Sequence, residues 1–168
     1  MNNKSIIIET SPWEVMTASA IDAFPEECCG FFWGAENGTR ITLAMAVDND
    51  GVVNRHSSFS IRATDYIAAE HLAEQRRLKL LGIYHSHPGQ SARPSTKDIQ
   101  AAFPNLYYII MGTNTMGTNT HEVYDVSCWQ LDESGHFTAN AIQVINPIIK
   151  KNNDAYCSNS NTVKEIYR

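Results

Sequence analysis

The 168-residue chain has no run of the roughly 18 consecutive apolar residues that a membrane-crossing helix needs. Near its start only Ile6-Ile7-Ile8 is continuously apolar before Glu9 interrupts, which is too short for the core of a secretion signal. Cysteine is scarce and badly placed for cross-linking. Cys28, Cys29, Cys128 and Cys157 include one adjacent pair and no C-x-x-C, so they form neither a disulfide framework nor a zinc-finger spacing. Positive charge is also short: 13 Lys and Arg stand against 18 Asp and Glu, a net charge of -5, with no basic stripe to hold a phosphate backbone. The expectation is a protein of a reducing, cytoplasmic compartment, with neither nucleic acid nor membrane as partner.

What the chain does have is an ordinary globular composition, 43% hydrophobic and 18% charged. Its length suits one domain, expected over residues 1–149, with the polar, Asn-rich stretch 150–168 expected as a flexible tail. Ser11-Pro12-Trp13-Glu14 predicts a capped helix start, running to about Ala23. Cys28 to Trp33 and Ile41 to Val47, joined through Asn37-Gly38, predict a β-hairpin. From Thr64 to Leu78 a second helix is expected to turn Ile67, His71, Leu72, Gln75 and Leu78 inward. Strands follow at Leu80 to Ser86 and Leu106 to Met111, with a short helix capped by Ser95 between them. The pentapeptide Met-Gly-Thr-Asn-Thr then occurs twice in tandem, at 111–115 and 116–120, and reads as slack in a surface loop. His121 to Leu131 and His136 to Ile145 close the pattern as strands. This order predicts an α/β class with a mixed sheet and helices packed on it.

The chemistry is concentrated in His85-Ser86-His87-Pro88-Gly89-Gln90-Ser91-Ala92-Arg93-Pro94-Ser95-Thr96-Lys97-Asp98. At a strand end, side chains two apart share a face, so His85 and His87 can converge on one metal ion. Pro88 turns the chain out of the ladder, and the loop returns Asp98 on the first turn of the next helix. Two imidazoles and a carboxylate leave a tetrahedral zinc with one open position, the mark of a catalytic rather than a structural site. Hydrolysis also needs a proton carrier, for which Glu27, just before the buried strand, is the candidate. Ser95-x-x-Asp98 is equally a helix capping box, and both roles are compatible. His56, His71, His121 and His136 read as packing or surface residues, and Cys29 as a small buried hydrophobe rather than a nucleophile.

Assembled in this way, the chain resembles the JAMM (MPN-plus) metalloprotease family, in its compact prokaryotic branch. That family's pattern is an upstream Glu, then His-x-His-Pro, Ser and Asp. Here these are Glu27 in Pro25-Glu26-Glu27-Cys28-Cys29-Gly30, then His85, His87, Ser95 and Asp98, over roughly residues 10 to 145. The resemblance implies one zinc ion per chain on His85, His87 and Asp98, Glu27 as general base and acid, and Ser95 as a stabiliser of the oxyanion. The neighbouring Glu26 competes for the base role, but the family's Glu-x-Cys-Gly spacing selects Glu27. It further implies a curved mixed β-sheet flanked by helices, similar to cytidine deaminases, and cleavage after the C-terminal Gly-Gly of a ubiquitin-like or sulfur-carrier protein. A non-catalytic MPN interaction scaffold is the alternative, opposed by the complete ligand set. A non-heme iron enzyme shares the ligand types, but its usual order, His-x-Asp/Glu before a distant His, is reversed here. Deaminase chemistry lacks its H-x-E and P-C-x-x-C residues.

Overall fold

A computed structural model describes residues 5–36, 38–116, 118, 120–132 and 134–145, together with the backbone of Lys164–Tyr167. The expected tail at 150–163 and 168, Asn37 of the hairpin turn, Gly117 and Asn119 of the repeat, and Cys157 lie outside the described residues.

The elements in order are β1 (Ser5–Glu9), α1 (Thr10–Ala23), β2 (Cys29–Gly34), β3 (Arg40–Val47), α2 (Ala63–Arg76), β4 (Lys79–Pro88), α3 (Thr96–Ala101), β5 (Tyr107–Met116), β6 (Thr120–Leu131), β7 (Phe137–Ile145) and β8 (Lys164–Tyr167). They form one mixed sheet in the order β1-β3-β2-β4-β5-β6-β7-β8. β1 also pairs in parallel with β7, Ile6 opposite Ile142, so the sheet curls into a barrel-like ring. β4 and β5 are parallel, as are β1 and β3, and the remaining pairings are antiparallel. The predicted hairpin is present as β2 and β3, and β8 against β7 is a strand the sequence did not suggest.

Two cores follow from the period-two alternation of the strands. On one face Ile6, Ile8, Phe32, Ile109 and Met111 pack with Met16 and Ala20 of α1. On the other, Phe31, Trp33, Ile83 and Tyr108 pack with Ala69 and Ala73 of α2. Three expectations change. α1 starts at Thr10 with Glu9 as its N-cap and no side-chain cap, because β1 runs directly into it and places Ser11 inside the first turn. α2 buries Ala69 and Ala73 and leaves Ile67 57% exposed, since small side chains let the helix approach the sheet closely enough for Trp33 Nε1 to donate to the Ala69 carbonyl at 3.1 Å. The first copy of the repeat is strand rather than loop slack: β5 continues to Met116 and pairs Thr115 with His121 of β6. Among the described residues no helix is long and apolar enough to cross a membrane.

Gly82 sits where β4 is pressed between Phe32 of β2 and the Tyr107 carbonyl of β5, and a Cβ there has no room. Gly82→Ala is expected to destabilise the fold by about 3 kcal/mol through overpacking. A lowered urea midpoint at unchanged slope checks this.

Candidate metal centre

His85 and His87 stand on the same face of β4, directed to the side of α2 and α3, and their Nε2 atoms lie 3.1 Å apart. Asp98 enters from the first turn of α3 with Oδ1 3.3 Å from His85 Nε2 and Oδ2 3.3 Å from His87 Nε2. One ligand atom from each of the three residues falls within 4.8 Å of the other two. Both rings are shielded from solvent, His85 and His87 being only 1% and 6% exposed. His87 Nδ1 donates to the Ser91 carbonyl at 3.2 Å; a carbonyl can only accept, so Nδ1 carries a proton and Nε2 is the ring atom that faces Asp98 and a metal ion. The His85 ring stacks on Phe59 at 4.6 Å between centroids. Imidazole lone pairs and a carboxylate crowded onto one point are a donor set that fits a divalent transition-metal ion.

Charge follows the same geometry. Burial works to raise the Asp98 pKa, but the His85 and His87 rings bonded to its oxygens prevail and hold it well below the usual carboxylate range. Burial pushes His85 down, toward the neutral ligand form. At His87 burial also pulls downward, and Asp98 beside it outweighs that and raises the pKa.

Asp98 is held by the cap that the sequence predicts. Ser95 N donates to Asp98 Oδ2 at 2.6 Å, and Asp98 N donates to Ser95 Oγ at 3.2 Å, so the N-cap fixes the carboxylate and the hydroxyl together. The cap uses the Ser95 oxygen only as an acceptor.

Glu27 lies just before β2, 6% exposed, and borders the same cavity as His85, Ser95 and Asp98. Three contacts set its backbone. Its N–H donates to the Arg55 carbonyl at 2.8 Å, its carbonyl accepts from Asn49 Nδ2 at 3.0 Å, and the next residue, Cys28, donates its N–H to Ser86 Oγ at 2.9 Å. Ser86, between the two histidines, faces the opposite side of β4 and so ties the strand of the ligands to the segment carrying Glu27. Burial, chiefly, pushes the Glu27 pKa up to about 7, with His87 opposing and Asp98 adding to the rise. Glu26 instead pairs with Arg55 at 3.8 Å and stays outside that cavity.

The loop between His87 and Ser95 is fastened to β6. Ala92 N donates to Asp125 Oδ2 at 2.8 Å, the Ala92 carbonyl accepts from Ser127 Oγ, and Trp129 Nε1 donates to Ser127 Oγ at 2.6 Å. Because Ser91 precedes Ala92, this clamp sets the carbonyl that orients the His87 ring. Asp125→Ala is expected to weaken metal binding by about tenfold, the scale of an outer-shell support, while Asp125→Asn recovers most of it by keeping an acceptor for Ala92 N. Competition with a chromophoric chelator measures both. Sequence reasoning missed Asn49, Phe59, Ser86 and Asp125; only Ser86 carried a signal, its parity opposite to the flanking histidines.

The other histidines stay apart from this centre. His56 donates to the Pro25 carbonyl at 2.8 Å, His71 is exposed on α2, His121 stacks on Phe24 at 4.2 Å and His136 lies in the β6–β7 turn. Cys28, Cys29 and Cys128 are buried free thiols, and burial pushes Cys29 up to about 12, which rules against a reactive thiolate.

The chain is similar to several known proteins. A desampylase of Pyrococcus furiosus is 31% identical over 86 residues, 50% of this chain and 59% of that protein. A probable TtuB-protein conjugate cleaving protease of Thermus thermophilus is 49% identical over 41 residues, 24% of this chain and 28% of that protein. The matches thus span less than two thirds of either relative. The solution structure of a Desulfitobacterium hafniense protein shares the fold, with a TM-score of 0.69 at 22% identity over 86% of this chain and 96% of that one. The model of the prokaryotic homologs of the JAB domain matches residues 10–132, a stretch that contains Glu27 and the whole histidine–aspartate centre, and the chain belongs to that family.

Proposed function

We propose that this protein is a zinc metallopeptidase that hydrolyses the peptide or isopeptide bond after the C-terminal glycine of a ubiquitin-like or sulfur-carrier protein. The observation that carries this reading is the convergence of His85, His87 and Asp98, with Glu27 bordering the same cavity at a pKa near neutrality. One relative is named as a probable protease that cleaves TtuB-protein conjugates and the other as a desampylase, and the first of these names supports the substrate class. A Gly-Gly tail suits a narrow groove because it lies extended without side chains to clash.

His85, His87 and Asp98 would hold the zinc ion. Bound there, zinc supplies Lewis-acid polarisation of water and of the scissile carbonyl. Glu27 takes a proton from the attacking water as the new C–O bond forms at the glycine carbonyl carbon. It then delivers that proton to the amine nitrogen as the C–N bond breaks, a double duty that a pKa near the working pH favours. Ser95, with its O–H not used by the cap, donates to the carbonyl oxygen as negative charge develops there.

The test is intact-mass analysis of Gly-Gly-ended carrier proteins, each extended by a peptide, incubated with the zinc-loaded protein and with Glu27→Gln. Loss of the extension after the last glycine with the unaltered protein alone is the expected result. No cleavage with zinc bound points to a scaffold, and iron in place of zinc on metal analysis revives an oxygenase.

A further inference from the structure

Beside the metal centre lies a cavity of about 350 Å³ whose lining is mostly apolar: Phe59 and Ile61 from the loop before α2, Tyr66 from α2, Phe103 after α3 and Tyr108 from β5. It is built rather than incidental. Tyr108 Oη accepts from Phe103 N at 2.6 Å and so fixes the segment after α3, the Tyr66 and Phe103 rings meet edge-on at 6.1 Å, and Lys97 Nζ reaches the Ser57 carbonyl at 3.3 Å to join α3 to the loop. Its most buried lining residues are Tyr108 and His85, at 5% and 1% exposure, whereas Phe103 is 54% exposed. The pocket therefore opens past Phe103 and Lys97 and ends against the ring of a metal ligand.

We propose that this pocket receives a large apolar side chain on the first residue after the cut, so that the preferred substrate is a carrier extended by an aromatic or branched aliphatic amino acid. The inference rests on the Gly-Gly reading above, because two glycines before the scissile bond leave no side chain on that half to fill an aromatic-lined space. Glu27, the proton donor to the departing nitrogen, borders this same cavity, which places the leaving half of the substrate there. A lysine joined through its ε-nitrogen is an unbranched stem that must continue outward to its own backbone. A pocket ending on buried Tyr108 and His85 suits it less well than a compact apolar group. The Lys97 ammonium at the mouth also complements the free carboxylate of a terminal residue.

One Gly-Gly carrier is prepared with single-residue extensions of Phe, Leu, Ala, Asp or Lys, and as an isopeptide with Nα-acetyl-lysine amide; the rate of loss of each extension is read by intact mass. Phe and Leu are expected to leave with a kcat/KM about tenfold or more above Ala and above the isopeptide, the discrimination that filling or emptying one apolar pocket supplies. Ala101, at the end of α3, also lines the cavity, so Phe103→Ala and the pocket-filling Ala101→Trp should both narrow the Phe-to-Ala ratio. In parallel, saturation-transfer NMR follows Phe-Gly, Leu-Gly, Ala-Gly and Lys-Gly dipeptides on the metal-free protein, where a Phe-Gly signal abolished by Ala101→Trp is expected. Equal rates, or faster release of the lysine conjugate, overturn the inference while leaving the hydrolase intact. If nothing in the panel is cleaved with zinc bound, the hydrolase reading fails, and the dipeptide signals alone decide the pocket: absence of a preference for Phe-Gly and Leu-Gly overturns it.

Discussion

Glu27→Gln is expected to keep about one metal ion per chain and to lose hydrolysis by roughly 100- to 10,000-fold, the usual contribution of a positioned acid–base group. The substitution preserves shape at a residue that is 6% exposed and leaves its backbone bonds to Arg55 and Asn49 untouched, so an inactive protein here is not an unfolded one. KM should change little while kcat falls, because the group acts on the proton in the transition state rather than on substrate binding. A Glu27→Gln protein with full activity would remove Glu27 from the mechanism. The same variant carries a stability signature in the metal-free protein. The folded pKa of about 7 lies above the ordinary 4.5, so between these values the fold holds a proton that the unfolded chain has shed. The stabilisation from Glu27 is therefore complete below the ordinary value and is lost as pH rises through about 7. Comparing urea midpoints of the two proteins from about pH 4 to about pH 8 should show that decline in the parent and its absence in the variant.

The second large effect is expected at the ligands. His87→Ala should weaken zinc binding by at least about 100-fold, more than the loss of any outer support, and abolish hydrolysis with it. Asp98→Asn separates the carboxylate's two duties. An amide oxygen still accepts from Ser95 N and keeps most of the cap of α3, whose loss costs about 1 kcal/mol, while the anionic ligand is gone. The expected result is a near-parental unfolding midpoint with little bound zinc, read by metal analysis after dialysis. Retained stoichiometric zinc in Asp98→Asn would show that Asp98 is a cap and not a ligand.

The parts of this protein legible in its sequence are those governed by short-range geometry. His85 and His87 share a face because a strand alternates, and Ser95 and Asp98 announce a capping box three positions apart; both rules act within one element. Where neighbours in space decide, the sequence misleads. Ile67 looks like a core residue by hydrophobicity, yet the sheet admits Ala69 and Ala73 because close approach, not side-chain size, determines which face of α2 is buried. Ser11-Pro12-Trp13-Glu14 carries a cap signal that β1 overrides by entering the helix directly at Thr10. Asn49, Phe59 and Asp125 support the centre from other strands and loops, and long-range placement leaves no mark in a single chain's residue types. The tandem Met-Gly-Thr-Asn-Thr looks like slack because a duplicated polar stretch costs a surface loop little entropy, but pairing with β6 draws the first copy into a strand.

The pairing of β1 with β7 has a consequence for how the molecule folds. Thr10 Oγ1 bonds the Ile145 carbonyl across 135 positions of sequence, and Ile6 and Ile142 meet in the same seam. Closing so long a loop costs more chain entropy than joining β2 to β3, or β5 to β6, so neighbouring hairpins form first and the ring seals late. High contact order of this kind slows folding to milliseconds or longer, and mutations in the seam should act mainly on the unfolding rate. Ile6→Ala would then release the ring faster without delaying assembly of the hairpins, and the strand that carries His85 and His87 would be built before the barrel is closed.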